Sequence, residues 1–322
     1  MEKEERLHEY EYCELCPRKC RVNRYEEKGY CGMGAQLKCA KAMLHYWEES
    51  AITYGDAPSG AVFFSGCNLK CAYCQNFEVS RNGFGKEITT DRLAGIFREL
   101  EEKKASNIDL VTPTHFVPSI IKAFEKRRPQ VPVVYNCGGY ENPETIKLIS
   151  PYVAYWLPDI KYFSDDLAVK YSKAPDYFET ACRMLETMLE YVRRCGSDAE
   201  PCGPDVQSCS PGGAVTGCGS EKESKGRIIV RHMVLPGCKD DSIKLLRALY
   251  ERYGSDSFLL SLMSQYTPFG KAADYPEINR RVTTYEYEKV LDEAVRLGFD
   301  GFMQERTSAK EEYTPEFDLA GL

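Results

Sequence analysis

The sequence predicts an α/β protein: a partial (β/α)6 barrel preceded by a small Cys-rich extension. Three observations lead there. Short apolar runs alternate with helix-like stretches from Gly60 to Gly298. Three closely spaced cysteines stand directly after the first of those runs. Five more, at 13, 16, 20, 31 and 39, crowd a charged region with few aliphatic side chains.

The strand-like runs are 60–65 (GAVFFS), 107–112 (NIDLVT), 131–136 (VPVVYN), 153–159 (VAYWLPD), 227–235 (RIIVRHMVL) and 257–264 (SFLLSLMS), with a weaker seventh at 300–304 (DGFMQ). Helices are predicted between them at 89–104, 117–128, 142–150, 177–194, 240–253 and 283–298. Thr90-Asp91 and Asp240-Asp241 stand where helix starts are capped, and Gly298 follows the last helix. Strand–helix alternation implies a parallel sheet with right-handed crossovers. Six such units suit a complete or partial barrel; a doubly wound open sheet would give equally continuous apolar strands. The expected organisation is an extension over 1–58, a core domain over 59–306 and a tail over 307–322. A Gly-, Ser- and Cys-rich insertion interrupts the core at 195–226, carrying Cys195, Cys202, Cys209 and Cys218.

The chain has 322 residues, a net charge of −7 and 15 cysteines. An acidic chain has no field of its own to gather nucleic acid, which argues against an RNA or DNA substrate. Glu125-Lys126-Arg127-Arg128 is one candidate for a local basic patch, against which stands a solvated helix end. No run approaches the roughly 18 apolar residues that a membrane span needs. The first six residues lack the apolar core of a secretory signal. The expected location is therefore the cytoplasm, where clustered cysteines read as metal or redox sites before disulfides.

The first strand runs into Ser65-Gly66-Cys67-Asn68-Leu69-Lys70-Cys71-Ala72-Tyr73-Cys74-Gln75-Asn76. Three thiolates can hold three irons of a cubane cluster and leave the fourth iron open, whereas electron-transfer clusters normally take four cysteines. A structural zinc site would need a fourth Cys or His, and none follows soon after Cys74. The loop also sits at the C-terminal end of a strand, the face where barrel enzymes carry their sites.

Cys-x3-Cys-x2-Cys with an aromatic before the last cysteine resembles the signature of radical S-adenosylmethionine (SAM) enzymes. The surrounding segments are similar to the branch related to pyruvate formate-lyase activating enzyme: CELCPRKCRVNR at 13–24, SGCNLKCAYCQN at 65–76, VTPTHF at 111–116, LPDIKY at 157–162, VRHMVLPG at 230–237 and SLMSQYTP at 261–268. The resemblance implies the radical SAM type of (β/α)6 barrel and a [4Fe-4S] cluster on Cys67, Cys71 and Cys74. It implies that SAM is reductively cleaved there to methionine and a 5′-deoxyadenosyl radical that abstracts hydrogen. It also implies a low-potential flavodoxin or ferredoxin as electron donor, and either a glycyl-radical enzyme or a small molecule as target.

Further residues are candidates for holding SAM or substrate. Asp159 and Lys161 are two apart and share a face; in similar activating enzymes an acid and a lysine here lie near SAM, while a surface salt bridge is the alternative. Arg231 and His232 are adjacent on one strand, so alternation sends only one inward. Thr112, Thr114 and His115 stand where many radical SAM enzymes carry Gly-Gly-Glu for the methionine amine, a run this chain lacks. Asn136 and Gly138 lie in a turn where backbone can approach a ligand. Gln265 and Tyr266 follow the sixth strand, and Tyr73 is expected to act by backbone and stacking. Cys13, Cys16, Cys20 and Cys31 have metal-like spacing, for zinc or a second cluster. The competing functions are an iron–sulfur electron carrier or redox sensor without SAM, and a zinc-stapled binding module.

Overall fold

A computed structural model describes residues 6–46, 51–53, 57–195, 226–303 and 315–322. Its strands are β1 (Lys38–His45), β2 (Ser59–Phe64), β3 (Lys86–Glu87), β4 (Ile108–Val111), β5 (Val133–Cys137), β6 (Tyr155–Pro158), β7 (Ile229–Met233), β8 (Leu259–Met263) and β9 (Gly301–Met303). The helices are α1 (His8–Glu11), α2 (Phe77–Ser80), α3 (Thr90–Glu102), α4 (Val117–Lys126), α5 (Pro143–Ile149), α6 (Asp165–Ser172), α7 (Tyr177–Cys195), α8 (Lys239–Tyr253) and α9 (Thr284–Arg296).

Strands β2, β4, β5 and β6 pair in parallel, in that order. β7, β8 and β9 form a second parallel ladder. Parallel bridges at Trp156–Ile228 and Asp159–Arg231 join the two, so seven described strands run side by side in chain order. Every crossover therefore steps the same way, and the order never reverses. A doubly wound sheet would reverse at a switch point, so that alternative falls and the partial barrel stands. Among the described residues no ladder joins β9 back to the first strands.

The parity of each strand explains the architecture. One face carries Val62, Phe64, Ile108, Leu110, Tyr135, Trp156, Val230 and Leu262, all packed in the main core with residues from the helices. The other face carries Val134, Leu157 and Ile229, a smaller core inside the barrel. Toward the C-terminal ends that inner face turns polar, with Asn136, Asp159, Arg231 and Ser261 lining the mouth.

Three expectations need correction. β1 pairs antiparallel with β2 from Cys39–Phe64 to His45–Ser59, so this part of the N-terminal region adds a strand to the barrel sheet. Its short run of small and basic residues hid it. Asp240 and Asp241 begin no cap: α8 follows Cys238, which makes no side-chain cap. Asp241 instead accepts hydrogen bonds from the N–H groups of Phe163 and Ser164, at 3.0 and 2.8 Å, just ahead of α6. The cap of α3 is Thr89, whose hydroxyl accepts from Arg92 N–H. The basic run is a tied helix end: Lys126 reaches Asp91, Arg127 reaches Glu101 and Arg128 reaches the Pro151 carbonyl.

The N-terminal knuckle docks on the helix side of the barrel through Tyr10 Oη–Ser119 Oγ (2.7 Å), Asn142 Nδ2–Glu14 O (2.6 Å) and Thr145 Oγ1–Leu15 O (2.7 Å). Residues 315–322 lie along β1, where Ala42 N–H donates to Ala320 O at 3.0 Å and Lys41 pairs with Asp318. Cys202, Cys209 and Cys218 lie outside the described residues, and no described helix is long and apolar enough to cross a membrane.

Candidate active site

The three-cysteine loop is held on both flanks. Lys70 N–H donates to Ser172 O (3.0 Å) and Ala72 N–H to Tyr171 O (2.7 Å), tying it to the end of α6. From the other side Lys271 N–H donates to Ala72 O at 2.7 Å. Gly66, at φ +83°, starts the loop where any Cβ would stand 2.5 Å from Met33 Cγ and 2.8 Å from Cys31 O. Only glycine meets both conditions.

Each of the three sulfurs faces a hydrogen-bond donor. Leu69 N–H donates to Cys67 Sγ at 3.4 Å, the Ser172 hydroxyl to Cys71 Sγ at 3.0 Å, and the Ser80 hydroxyl lies 3.2 Å from Cys74 Sγ. Ser172 is itself the end of a chain: Tyr73 Oη–Tyr162 Oη is 2.6 Å and Tyr162 Oη–Ser172 Oγ is 2.7 Å. Burial pushes the Cys67 thiol up to about 12, with the neighbouring Cys71 and Cys74 adding to it. Such thiols stay protonated unless a metal takes the proton's place. Among the described residues no three His, Cys, Asp or Glu side chains close on one ion; ligands to three different irons have no need to. Three half-buried sulfurs with donors at each suit an iron–sulfur cluster.

All three cysteines line one cavity of about 540 Å³ at the C-terminal ends of the strands. In the same cavity Asp159 bonds Lys161 Nζ at 2.6 Å and Arg231 Nε at 2.8 Å. Arg231 also donates to Asn136 Oδ1 at 2.5 Å, and Asn136 Nδ2 donates to Asp109 at 3.2 Å. Burial would raise the Asp159 carboxyl, but Arg231 and Lys161 hold it below the usual carboxylate range. Strand parity made this layer: Asn136 and Arg231 occupy inner positions of β5 and β7, and Asp159 the inner position just past β6.

Tyr73, Thr112, Gly138 and Gln265 line the same cavity. Thr112 adopts φ +59°, a left-handed conformation that is costly for a β-branched residue and that clusters at functional sites. Gly139 closes over the acid: a Cβ there would stand 1.9 Å from Asp159 O.

Four expected site residues lie behind the cavity wall. Thr114 is buried and accepts from Tyr135 Oη at 3.2 Å. His115 is buried with Nε2 2.7 Å from Ser65 O, and burial lowers it to about 3. His232 points away from its neighbour Arg231, between Ile160 O (2.7 Å) and Ser242 Oγ (2.8 Å), and burial lowers it to about 4. Tyr266 is buried, donating to Ile278 O. His232 falls on the outer face of β7 against Ser242 of α8, and the other three follow the ends of their strands.

Sequence reasoning missed Asp109, a fully buried carboxylate under Asn136. An Asp inside the apolar run NIDLVT was the available signal. It also missed Glu141, which is 1 % exposed and which burial raises to about 7.

Known proteins resemble this chain in sequence and fold. Residues 61–205 match the Radical SAM superfamily. The chain is 27% identical over 300 residues to an uncharacterized protein of Methanocaldococcus jannaschii, covering 90% of this chain and 76% of that one. It is 26% identical over 131 residues to the pyruvate formate-lyase-activating enzyme of Clostridium pasteurianum, covering 38% of this chain and 54% of that enzyme. A radical SAM methyltransferase from Sphaerobacter thermophilus shares the fold at a TM-score of 0.50 and 12% identity, over 81% of this chain and 70% of that one. The motif, the barrel and the match thus point the same way: over residues 61–205 this chain is similar to the radical SAM superfamily.

Proposed function

We propose that this chain is an enzyme that cleaves SAM by one-electron reduction and uses the resulting radical to abstract a hydrogen atom. Cys67, Cys71 and Cys74 hold the cluster. When bound, a four-iron cluster with one open iron supplies the reductive cleavage of SAM to methionine and a 5′-deoxyadenosyl radical. The rest is the work of the protein's own side chains.

The observation that carries this reading is the shared cavity. Sulfurs furnished with donors line it together with a fixed layer containing one anion, Asp159, and two cations, Lys161 and Arg231. SAM carries an ammonium, a sulfonium and a carboxylate, so its site needs both signs of charge. Asp159 meets the positive groups; Arg231 and Lys161 meet the carboxylate. Their mutual pairing keeps them oriented before SAM arrives. Phe63, Met233, Met263 and Phe302 complete an apolar wall that excludes water from a radical. The cavity volume lies within the range of small-molecule sites.

Likeness to the activating enzyme supports a narrower reading, in which the hydrogen comes from a glycine of a partner enzyme and a flavodoxin or ferredoxin supplies the electron.

The test is anaerobic: reconstitute with iron and sulfide, reduce with dithionite, add SAM and quantify 5′-deoxyadenosine. Wild type should form it, and Cys71→Ala should form none while keeping its far-UV circular dichroism. Turnover in Cys71→Ala would overturn the site. A glycine-centred radical signal in a co-purified partner would support the narrower reading.

A further inference from the structure

The four N-terminal cysteines remain outside this chemistry, and the fold sets them against it. Cys13, Cys16 and Cys31 are buried and Cys20 is half-buried, all within one hydrogen-bonded knuckle. Cys13 N–H donates to Val22 O at 3.1 Å, Arg21 N–H to Cys13 O at 2.9 Å and Lys19 N–H to Cys16 O at 3.0 Å. Two of these turns need left-handed residues, Lys19 at φ +41° and Arg21 at φ +59°. Gly29 leaves a cradle between two of the sulfurs: a Cβ on it would stand 3.4 Å from Cys20 Sγ and 3.6 Å from Cys31 Sγ.

A second, independent observation points to an anion there. Arg24 is 2 % exposed, and among the described residues no carboxylate pairs with it. Its guanidinium meets only carbonyl oxygens, of Gly34 and His115, and the faces of Tyr10 and Phe116. A buried cation without an anion is costly. Deprotonated, metal-bound sulfurs would supply the missing negative charge.

The knuckle also adjoins the radical site. Cys67 N–H donates to Cys31 O at 3.3 Å, so one peptide hydrogen bond links a ligand of each group. Lys70, between Cys67 and Cys71 in sequence, interacts with both Cys67 and Cys31.

We propose that Cys13, Cys16, Cys20 and Cys31 hold a second iron–sulfur cluster that passes electrons to the site at Cys67, Cys71 and Cys74. Four cysteines and no open position are the donor set of an electron-transfer cluster. Zinc needs its thiols closed on one ion, and among the described residues no three do so; a cluster spreads them over separate irons, and zinc has no redox chemistry to gain from lying beside Cys67. One electron leaves a reduced carrier of the flavodoxin or ferredoxin class, oxidising it by one electron. It occupies the knuckle and moves on to the three-cysteine site. SAM accepts it as the C5′–S bond breaks and methionine departs.

The relay rests on the SAM-cleaving function proposed above; occupancy of the knuckle does not, and two variants keep them apart. In the chain carrying Cys67→Ala, Cys71→Ala and Cys74→Ala, reconstituted with iron and sulfide, we expect about four iron and four sulfide per chain, with a paramagnetic resonance signal on reduction. Zinc in their place, or no metal, would overturn the proposal whatever the activity. In the chain carrying Cys16→Ser and Cys20→Ser, we expect cleavage driven by reduced flavodoxin to fall about tenfold or more, while cleavage driven by dithionite persists. An equal loss with both reductants would overturn the relay. No cleavage by wild type with either reductant would overturn the proposed function and leave the first measurement intact.

Discussion

Asp159 is bound to two cations at once and is a fifth exposed, so its charge is only partly screened. Asp159→Asn keeps the shape and removes the anion, leaving Arg231 and Lys161 to repel each other across the cavity. We expect a loss of about 2–3 kcal/mol in urea unfolding, together with weakened SAM binding by calorimetry. Unchanged stability would show that water already screens the pair. Parity explains which of these residues the sequence disclosed. Asp159 and Lys161 share a face by spacing alone. For Arg231 and His232, spacing says that one points inward but not which, and only the position of α8 against β7 decides it. Glu141 escaped notice because its burial comes from the N-terminal knuckle, which no local pattern reports.

At the scale of elements, the turn after β5 and the end of β6 act as one unit. Tyr177 Oη donates to Gly138 O at 2.8 Å and lies 3.1 Å from Asp159 O, while Gly139, at φ +80°, rests against that same carbonyl. Gly139→Ala must move Asp159 or its own turn. We expect it to cost about 2 kcal/mol or more and to lower SAM affinity, read by thermal melting and a binding titration. A neutral effect would mean the turn shifts freely. The seven parallel strands were legible because each presents apolar residues to the helices at alternate positions. β1 and α6 were not. β1 (KCAKAMLH) carries alanine and lysine where a buried strand usually carries branched residues. α6 (DDLAVKYS) buries only Ala168, Tyr171 and Ser172, so it has no apolar stripe to read.

For the molecule as a whole, three buried groups set the response to acid. His115 and His232 are held neutral, their values lowered from 6.5 to about 3 and about 4 by burial. Their contribution to stability is present above pH 6.5 and is lost as pH falls through those values. Glu141, raised from 4.5 to about 7 by burial, has the opposite sign: its contribution is full below pH 4.5 and is lost as pH rises through 7. Between about pH 4.5 and 6.5 the unfolded chain thus binds two protons that the folded chain lacks, and the folded chain binds one that the unfolded chain lacks. Stability should therefore rise with pH across this range by about 1.4 kcal/mol per unit. Glu141→Gln removes the opposing proton and should double that slope, measured as urea midpoints across the range. An equal slope in the variant would show that Glu141 is ionised in the native state.

The clamp on the cysteine loop bears on how iron is taken up. Where ligands are ordered only by their metal, binding energy and folding energy are one quantity, and chelators denature the protein. Here the peptide groups of Lys70 and Ala72 are already bonded to α6 and to Lys271. Iron loading at Cys67, Cys71 and Cys74 is then a docking event on a finished scaffold. Chelation should strip the colour from this loop and leave its protease resistance and its circular dichroism in place.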